Sequence, residues 1–353
     1  MKKLIALVAA LVALAVPAVA AASHDVVPRG AVYALTNSVT GNGVAYFARA
    51  ANGGLTLVAT YQTGGLGTGA GLGSQGAITL DDNLLFAVNA GSDSISEFVV
   101  ENDGLRLVRV FASNGVRPIS ATAHGNLLYV LNAGSSSITG FRVAGRGRVT
   151  PLDGSTQTLL GAGPAQIGFS SEGRTLVVTE KTSSSLDTFT IDPNGRARAG
   201  VSSPSAGATP FGFAFDGRNR AFVSEAAGSA SSYGVDAAGA HVISAAIATG
   251  QAAPCWLVVT PNGRYAYTAN AGGGSISGFT IDRDGGLTLA STTTLGMGSH
   301  PLDESVSADG RFLYVLVDGR HTVAAFQIAA DGTLTRVGEA GALPAGAIGL
   351  AAS

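Results

Sequence analysis

The chain has 353 residues, with 21 Lys and Arg against 23 Asp and Glu, a net charge of −2, and only 12% of residues charged. That balance lacks the basic stripe nucleic-acid binding needs, and a lone cysteine, Cys255, excludes an internal disulfide framework. The 50 Gly, about twice the usual share and without collagen periodicity, imply many tight turns.

Residues 1–22 read as a secretory signal peptide. Lys2 and Lys3 precede an apolar run over 4–16, Pro17 breaks it, and small residues follow at Ala18, Ala20 and Ala22. A 13-residue run is short for a bilayer, which needs about 20 apolar residues. No later segment is long and apolar enough to span one. The expected product is a periplasmic or secreted, monomeric protein of residues 23–353.

From residue 31 the chain repeats itself. Residues 31–74 hold three alternating runs, VYALTN, VAYFARA and LTLVATY. Complete units then start near residues 75, 119, 165, 211, 255 and 302, at steps of 44 to 47 residues. Pro118, Pro164, Pro210, Pro254 and Pro301 stand just ahead of five of them, where a residue without an N–H does no harm to a sheet. Each unit carries four short alternating runs, a to d, and Asp103-Gly104, Asn194-Gly195, Asp284-Gly285 and Asp331-Gly332 are expected hairpin turns. Four strands per 40–50 residues is the pattern of a propeller blade.

Residues 31–74 lack a first strand, and residues 347–353 (AIGLAAS) supply only one. Joined, they make a composite blade that closes the ring. The prediction is an all-β, seven-bladed propeller with blades 31–74 plus 347–353, 75–118, 119–164, 165–210, 211–254, 255–301 and 302–346. An open solenoid would leave two unpaired edges.

Ligands of such a ring bind at the funnel mouth. The residue closing strand b, read round the ring, is Asn37, Asn89, Asn132, Glu180, Glu225, Asn270 and Val317. Asn is ordinary in a Gly-rich turn, so the two Glu stand out. Matched positions in adjacent blades should face their carboxylates to one region, where paired acids raise one another's pKa and can act as general acid and base. Lys181 could instead neutralise them in an ion pair. The segment opening strand a contributes Arg117, Gln166, Cys255, Trp256, Asp303 and Glu304 as candidate ligand contacts, with His300 just ahead of Pro301. Trp256, the one Trp, can stack on a flat or sugar-like ligand or pack between blades. Cys255 is a nucleophile or a buried inert thiol.

The segments PAQIGF, LLYVLNAGSSSI (127–138) and VVTEKTSSS resemble the lactonase-type seven-bladed propellers, the family of bacterial 6-phosphogluconolactonase and fungal carboxymuconate cyclase, over nearly all of residues 31–353. LLYVLNAGSSSI is also similar to the YVTN-type repeats of surface and periplasmic propellers. The resemblance implies a catalytic His just after a blade-opening Pro, a Glu ending a nearby strand b, and Arg in the funnel. Gln166 stands at the His position, Glu180 at the Glu position, and Glu225 where the next blade commonly carries Arg.

No HxH or HExxH occurs, and Asp282-Arg283-Asp284-Gly285 lacks the rest of a calcium loop, so neither a metal nor a cofactor is expected. No GxSxG elbow occurs either. Two functions remain: a hydrolase or cyclase acting on a lactone or sugar-acid-like small molecule, with Glu180 and Glu225 moving protons and Gln166 or Arg117 orienting a carbonyl, or a non-catalytic propeller holding a small ligand or a protein partner.

Overall fold

The computed structural model describes residues 30–144 and 148–353; the expected signal peptide lies outside the described residues. Seven antiparallel sheets form from them in chain order, each with strand a innermost. In blade 4 the strands are Pro164–Phe169, Thr175–Glu180, Ser185–Thr190 and Val201–Pro204. In blade 3 the outermost strand is split into Val149–Pro151 and Gln157–Thr158, both paired with Ser137–Val143.

The ring closes as the missing strand requires. Ile348–Ala352 pairs antiparallel with Ala31–Leu35, completing a sheet with Gly43–Arg49 and Leu55–Gln62. The expected propeller, with its composite first blade, is the observed one.

Alternation along the strands explains the packing. Strands b and c are buried on both faces between neighbouring blades, whereas the outermost strands alternate, as in Leu55–Gln62. The third residue of strand b is large in most blades, among them Phe86, Tyr129, Phe222, Tyr267 and Tyr314, all essentially inaccessible. The tyrosine hydroxyls reach the c–d hairpin of the next blade: Tyr129 donates to the Gly195 carbonyl (2.8 Å), Tyr267 to Gly332 (2.8 Å) and Tyr314 to Gly53 (3.2 Å). A buried phenol needs such a partner, and here the partner ties one blade to the next. Gly195 and Gly332 sit in these hairpins at φ 84° each. A side chain at 332 would meet the Tyr265 ring at 2.4 Å, and one at 195 would meet Leu127 at 2.6 Å. Gly104, expected in a hairpin of the same kind, lies at the start of the extended strand Gly104–Ala112.

Candidate functional site

In the five blades opened by Pro, strand a begins at the loop face with a bulge between that Pro and the residue two or three places on. The residue before each Pro is left-handed: Arg117 (φ 54°), Gly163 (76°), Thr209 (62°), Ala253 (53°) and His300 (45°). This conformation costs energy for a residue with a Cβ, most of all for β-branched Thr209. Its recurrence round the ring marks it as part of the blade design. It also places the Arg117 and His300 side chains on the exposed rim.

In three of these blades the residue two places after the Pro latches its strand to the next inner strand. Ser120 Oγ accepts from the Ile167 N–H (3.2 Å), and Asp303 Oδ2 accepts from the Gly349 N–H (2.8 Å). Gln166 does both jobs: Oε1 accepts from the Phe213 N–H (2.7 Å) and Nε2 donates to the Phe213 carbonyl (2.9 Å). Gln166, expected to orient a ligand, has its amide occupied by backbone.

At Gly212 the series lacks a side chain, and another residue fills the gap. Gln75, from the segment between blades 1 and 2, donates from Nε2 to the Leu257 carbonyl (2.8 Å) and accepts the Leu257 N–H at Oε1 (2.9 Å). A Cβ on Gly212 would lie 2.0 Å from Gln75 Oε1. The Gln75 N–H reaches the Ala165 carbonyl (3.2 Å), and Ser74 Oγ donates to the Ile119 carbonyl (2.9 Å). Trp256 Nε1 donates to the Ser74 carbonyl (3.0 Å), and its ring packs 4.9 Å from Phe211. Ser74-Gln75 therefore bridges the inner strands of blades 3, 4 and 6 and plugs the middle of the channel. Trp256 serves the plug and is buried.

On the loop side of the plug stand Lys181, Phe211, Cys255 and the rim residue Arg117. Lys181 Nζ donates to the Gly73 carbonyl and lies 5.0 Å from the Phe211 ring centre, a cation–π contact. Burial lowers its pKa, and the charge of Arg117 lowers it further; Cys255 and Glu180 oppose them. Burial pushes the Cys255 thiol up to about 12, so it is no thiolate nucleophile at neutral pH.

The two acids do not share a region. Each points into the seam between its own blade and the loop before it: Glu180 lies against Gly161, Glu225 against Gly207. Glu225 is saturated, accepting from the Gly207 N–H (2.9 Å), Ser231 Oγ (2.5 Å) and Ser229 Oγ (2.5 Å). It does what Asn89 and Asn270 do in their blades, where the amide donates to Ser96 (2.8 Å) and to Ser277 (2.9 Å). The expected pairing of Glu180 with Glu225 as acid and base is therefore not formed, because their seams differ.

Glu180 has different surroundings. At the strand-c position of Ser96, Ser231 and Ser277, blade 4 carries Asp187, whose Oδ2 accepts from the Leu160 (2.7 Å) and Gly161 (3.1 Å) N–H groups. Both Glu180 oxygens are buried and without a hydrogen-bond partner among the described residues. Burial, then the Asp187 charge, raises its pKa to about 8, against Lys181. Glu180 therefore keeps its proton to higher pH than an ordinary carboxyl does.

Asp303 and Glu304 are also buried in the ring rather than presented to the funnel. Burial lifts Asp303 to about 7, opposed by the Gly349 amide, and lifts Glu304 well above the carboxylate range. Among the described residues no three His, Cys, Asp or Glu gather as a metal-binding group, and no helix is long and apolar enough to cross a membrane.

The family profile described as "Lactonase, 7-bladed beta-propeller" matches residues 35–159 and 219–305. No curated protein sequence matches the chain. Among solved structures, a Bacteroides fragilis protein titled a "putative 6-phosphogluconolactonase" superposes with a TM-score of 0.74 at 16% identity, over 94% of this chain and 99% of that one. A Lactobacillus plantarum protein does so at 0.77 and 15%, over 92% and 99%. The periplasmic gluconolactonase of Pseudomonas aeruginosa does so at 0.70 and 15%, over 90% and 98%.

Proposed function

The chain belongs to the lactonase family of seven-bladed β-propellers, and from that membership we propose that it binds a sugar acid or its lactone on the loop side of the central plug. The carrying observation is the half-buried Lys181 ammonium over Phe211, with the Arg117 cation near enough to lower its pKa. Two cations above a closed channel floor suit a carboxylate, since charge-assisted hydrogen bonds strengthen as water is excluded. The likeness to 6-phosphogluconolactonase folds supports this ligand class.

Titration calorimetry with D-gluconate and with glucono-δ-lactone tests the reading. Binding to the parent, weakened about 10-fold or more in Lys181→Met, is expected, that factor being about 1.4 kcal/mol. Equal binding by the variant, or none by the parent, would sink it.

Lactone hydrolysis is the second reading, favoured by the protonated Glu180 beside Asp187 and next to Lys181 in sequence. In that reaction water adds to the lactone carbonyl and the acyl C–O bond to the ring oxygen breaks. Glu180 would protonate that oxygen once the seam against Gly161 opens, since the carboxyl is fully buried there. Such a general-acid role is worth roughly 10²-fold or more. A pH-stat assay of Glu180→Gln decides: an unchanged rate removes Glu180 from the chemistry.

The basic start, the apolar run 4–16 and the small residues at 18, 20 and 22 support export. The expected N-terminus of the mature protein follows Ala20 or Ala22; protein that keeps Met1 in the cytoplasm would overturn export.

A further inference from the structure

On the face opposite the plug's loop side, a cleft of about 400 Å³ opens between blades 5 and 6. Its walls come from three turns and carry Arg218, Arg220, Arg264 and Arg283 with Asp216 and Asp282. Arg218 and Arg220 each donate from Nη1 to the Arg283 carbonyl, at 2.8 and 2.9 Å. Asp216 holds Arg220 through Nε (2.8 Å) and Nη2 (2.6 Å), so that carboxylate is spent. Asp282 accepts at Oδ1 from the N–H groups of Asp284 (2.8 Å) and Gly286 (2.7 Å), and its charge offsets one of the arginines. Arg218, Arg264 and Arg283 are exposed and have no carboxylate partner among the described residues.

The corresponding cleft between blades 3 and 4, of about 370 Å³, shows what a neutralised version looks like. There Arg174 faces Glu172 (3.7 Å), and Arg198 faces Asp192 (3.0 Å). The blade 5–6 cleft sets four arginines against two acids, so a positive excess remains.

We propose that the cleft between blades 5 and 6 is a binding site for a phosphate-type dianion, free or as a phosphate monoester. Guanidinium forks arriving from three turns suit a tetrahedral group with acceptors on every side better than a planar carboxylate. The Arg283 carbonyl already fixes two of the forks, so less freedom is lost when the anion enters.

Calorimetric titration of the full chain with inorganic phosphate at low ionic strength tests the site. The double variant Arg264→Gln, Arg283→Gln is the probe, since neither side chain hydrogen-bonds another group among the described residues. Expected is millimolar or tighter phosphate binding, weakened about 10-fold or more in the double variant. Arg174→Gln, in the neutralised cleft, should leave affinity within about twofold. No binding by the parent, equal weakening by Arg174→Gln, or citrate binding as tightly as phosphate each overturns the proposal. Full affinity in Arg264→Lys, Arg283→Lys would do so too, since net charge alone would then explain binding. Glucose 6-phosphate binding more tightly than inorganic phosphate would identify the ester as the preferred form.

Discussion

Glu180 and Glu225 close the second strands of adjacent blades at one ring position, and each is fully buried. Glu225 is ringed by serine hydroxyls and a backbone amide, which accept the role of donors to a carboxylate as readily as serines elsewhere accept from Asn89 and Asn270. A hydroxyl can donate or accept, so the same seam tolerates an amide or an anion. Glu180 meets Asp187 where a serine would stand, and a second acid cannot donate unless one of them is protonated. The changed residue on strand c thus adds to burial in holding the Glu180 proton.

Removing the anchor should have the largest effect. Glu225→Ala leaves two serines and the Gly207 N–H without their acceptor and is expected to cost about 3 kcal/mol, read as a lower denaturant midpoint. Glu225→Gln, which can still bond the serines, should cost roughly half of that or less. If both variants unfold with the parent, the hydrogen bonds drawn here to Glu225 are not what holds the seam.

The second test uses pH. Glu180 has its proton held from the ordinary 4.5 up to about 8 in the folded chain. Between those values the folded state binds a proton that the unfolded state has lost, so stability is fully present below about 4.5 and falls as pH rises towards 8. Asp303 and Glu304, both raised by burial, add to the same slope. Glu180→Gln should flatten that slope in part. Parallel melting curves for Glu180→Gln and parent from pH 4.5 to 8 would contradict the proton at Glu180.

The smallest effect belongs to Asp187→Ser, which gives blade 4 the residue its neighbours have. Losing the acceptor of the Leu160 and Gly161 N–H groups should cost about 1 kcal/mol. In exchange the Glu180 carboxyl should titrate at lower pH, followed by carbon-detected NMR of its carboxyl. An unmoved titration would mean that burial alone sets it.

The blade repeat was legible because alternating runs, Gly-rich turns and the spaced prolines all report backbone geometry. Closure was legible because residues 31–74 lack one strand. The site was harder to read, since position in a repeat does not state what a side chain meets. Gln166 stands where the resemblance implies a catalytic His, yet is bonded at both amide atoms by Phe213. Asp187 went unnoticed, although aligning SISEF, SITGF, SLDTF and SASSY shows it as the acid in a column of Ser and Thr. Gln75 lies in a Gly-rich stretch that reads as an ordinary connection; the absence of a side chain at Gly212 is the only trace of its docking place.

The composite first blade also sets an order of events. Ile348–Ala352 supplies the inner strand of a sheet whose other members lie within residues 31–62. Until residue 352 has been delivered, Ala31–Leu35 keeps an unpaired edge, and that edge can recruit a foreign strand. Blades 2 to 7 draw their strands from contiguous chain and can form as it emerges, whereas ring closure joins regions some 300 residues apart and is slow for that reason. A chain threaded N-terminus first through a narrow exit would therefore stay open, and exposed to chaperones and proteases, until its final strand arrives.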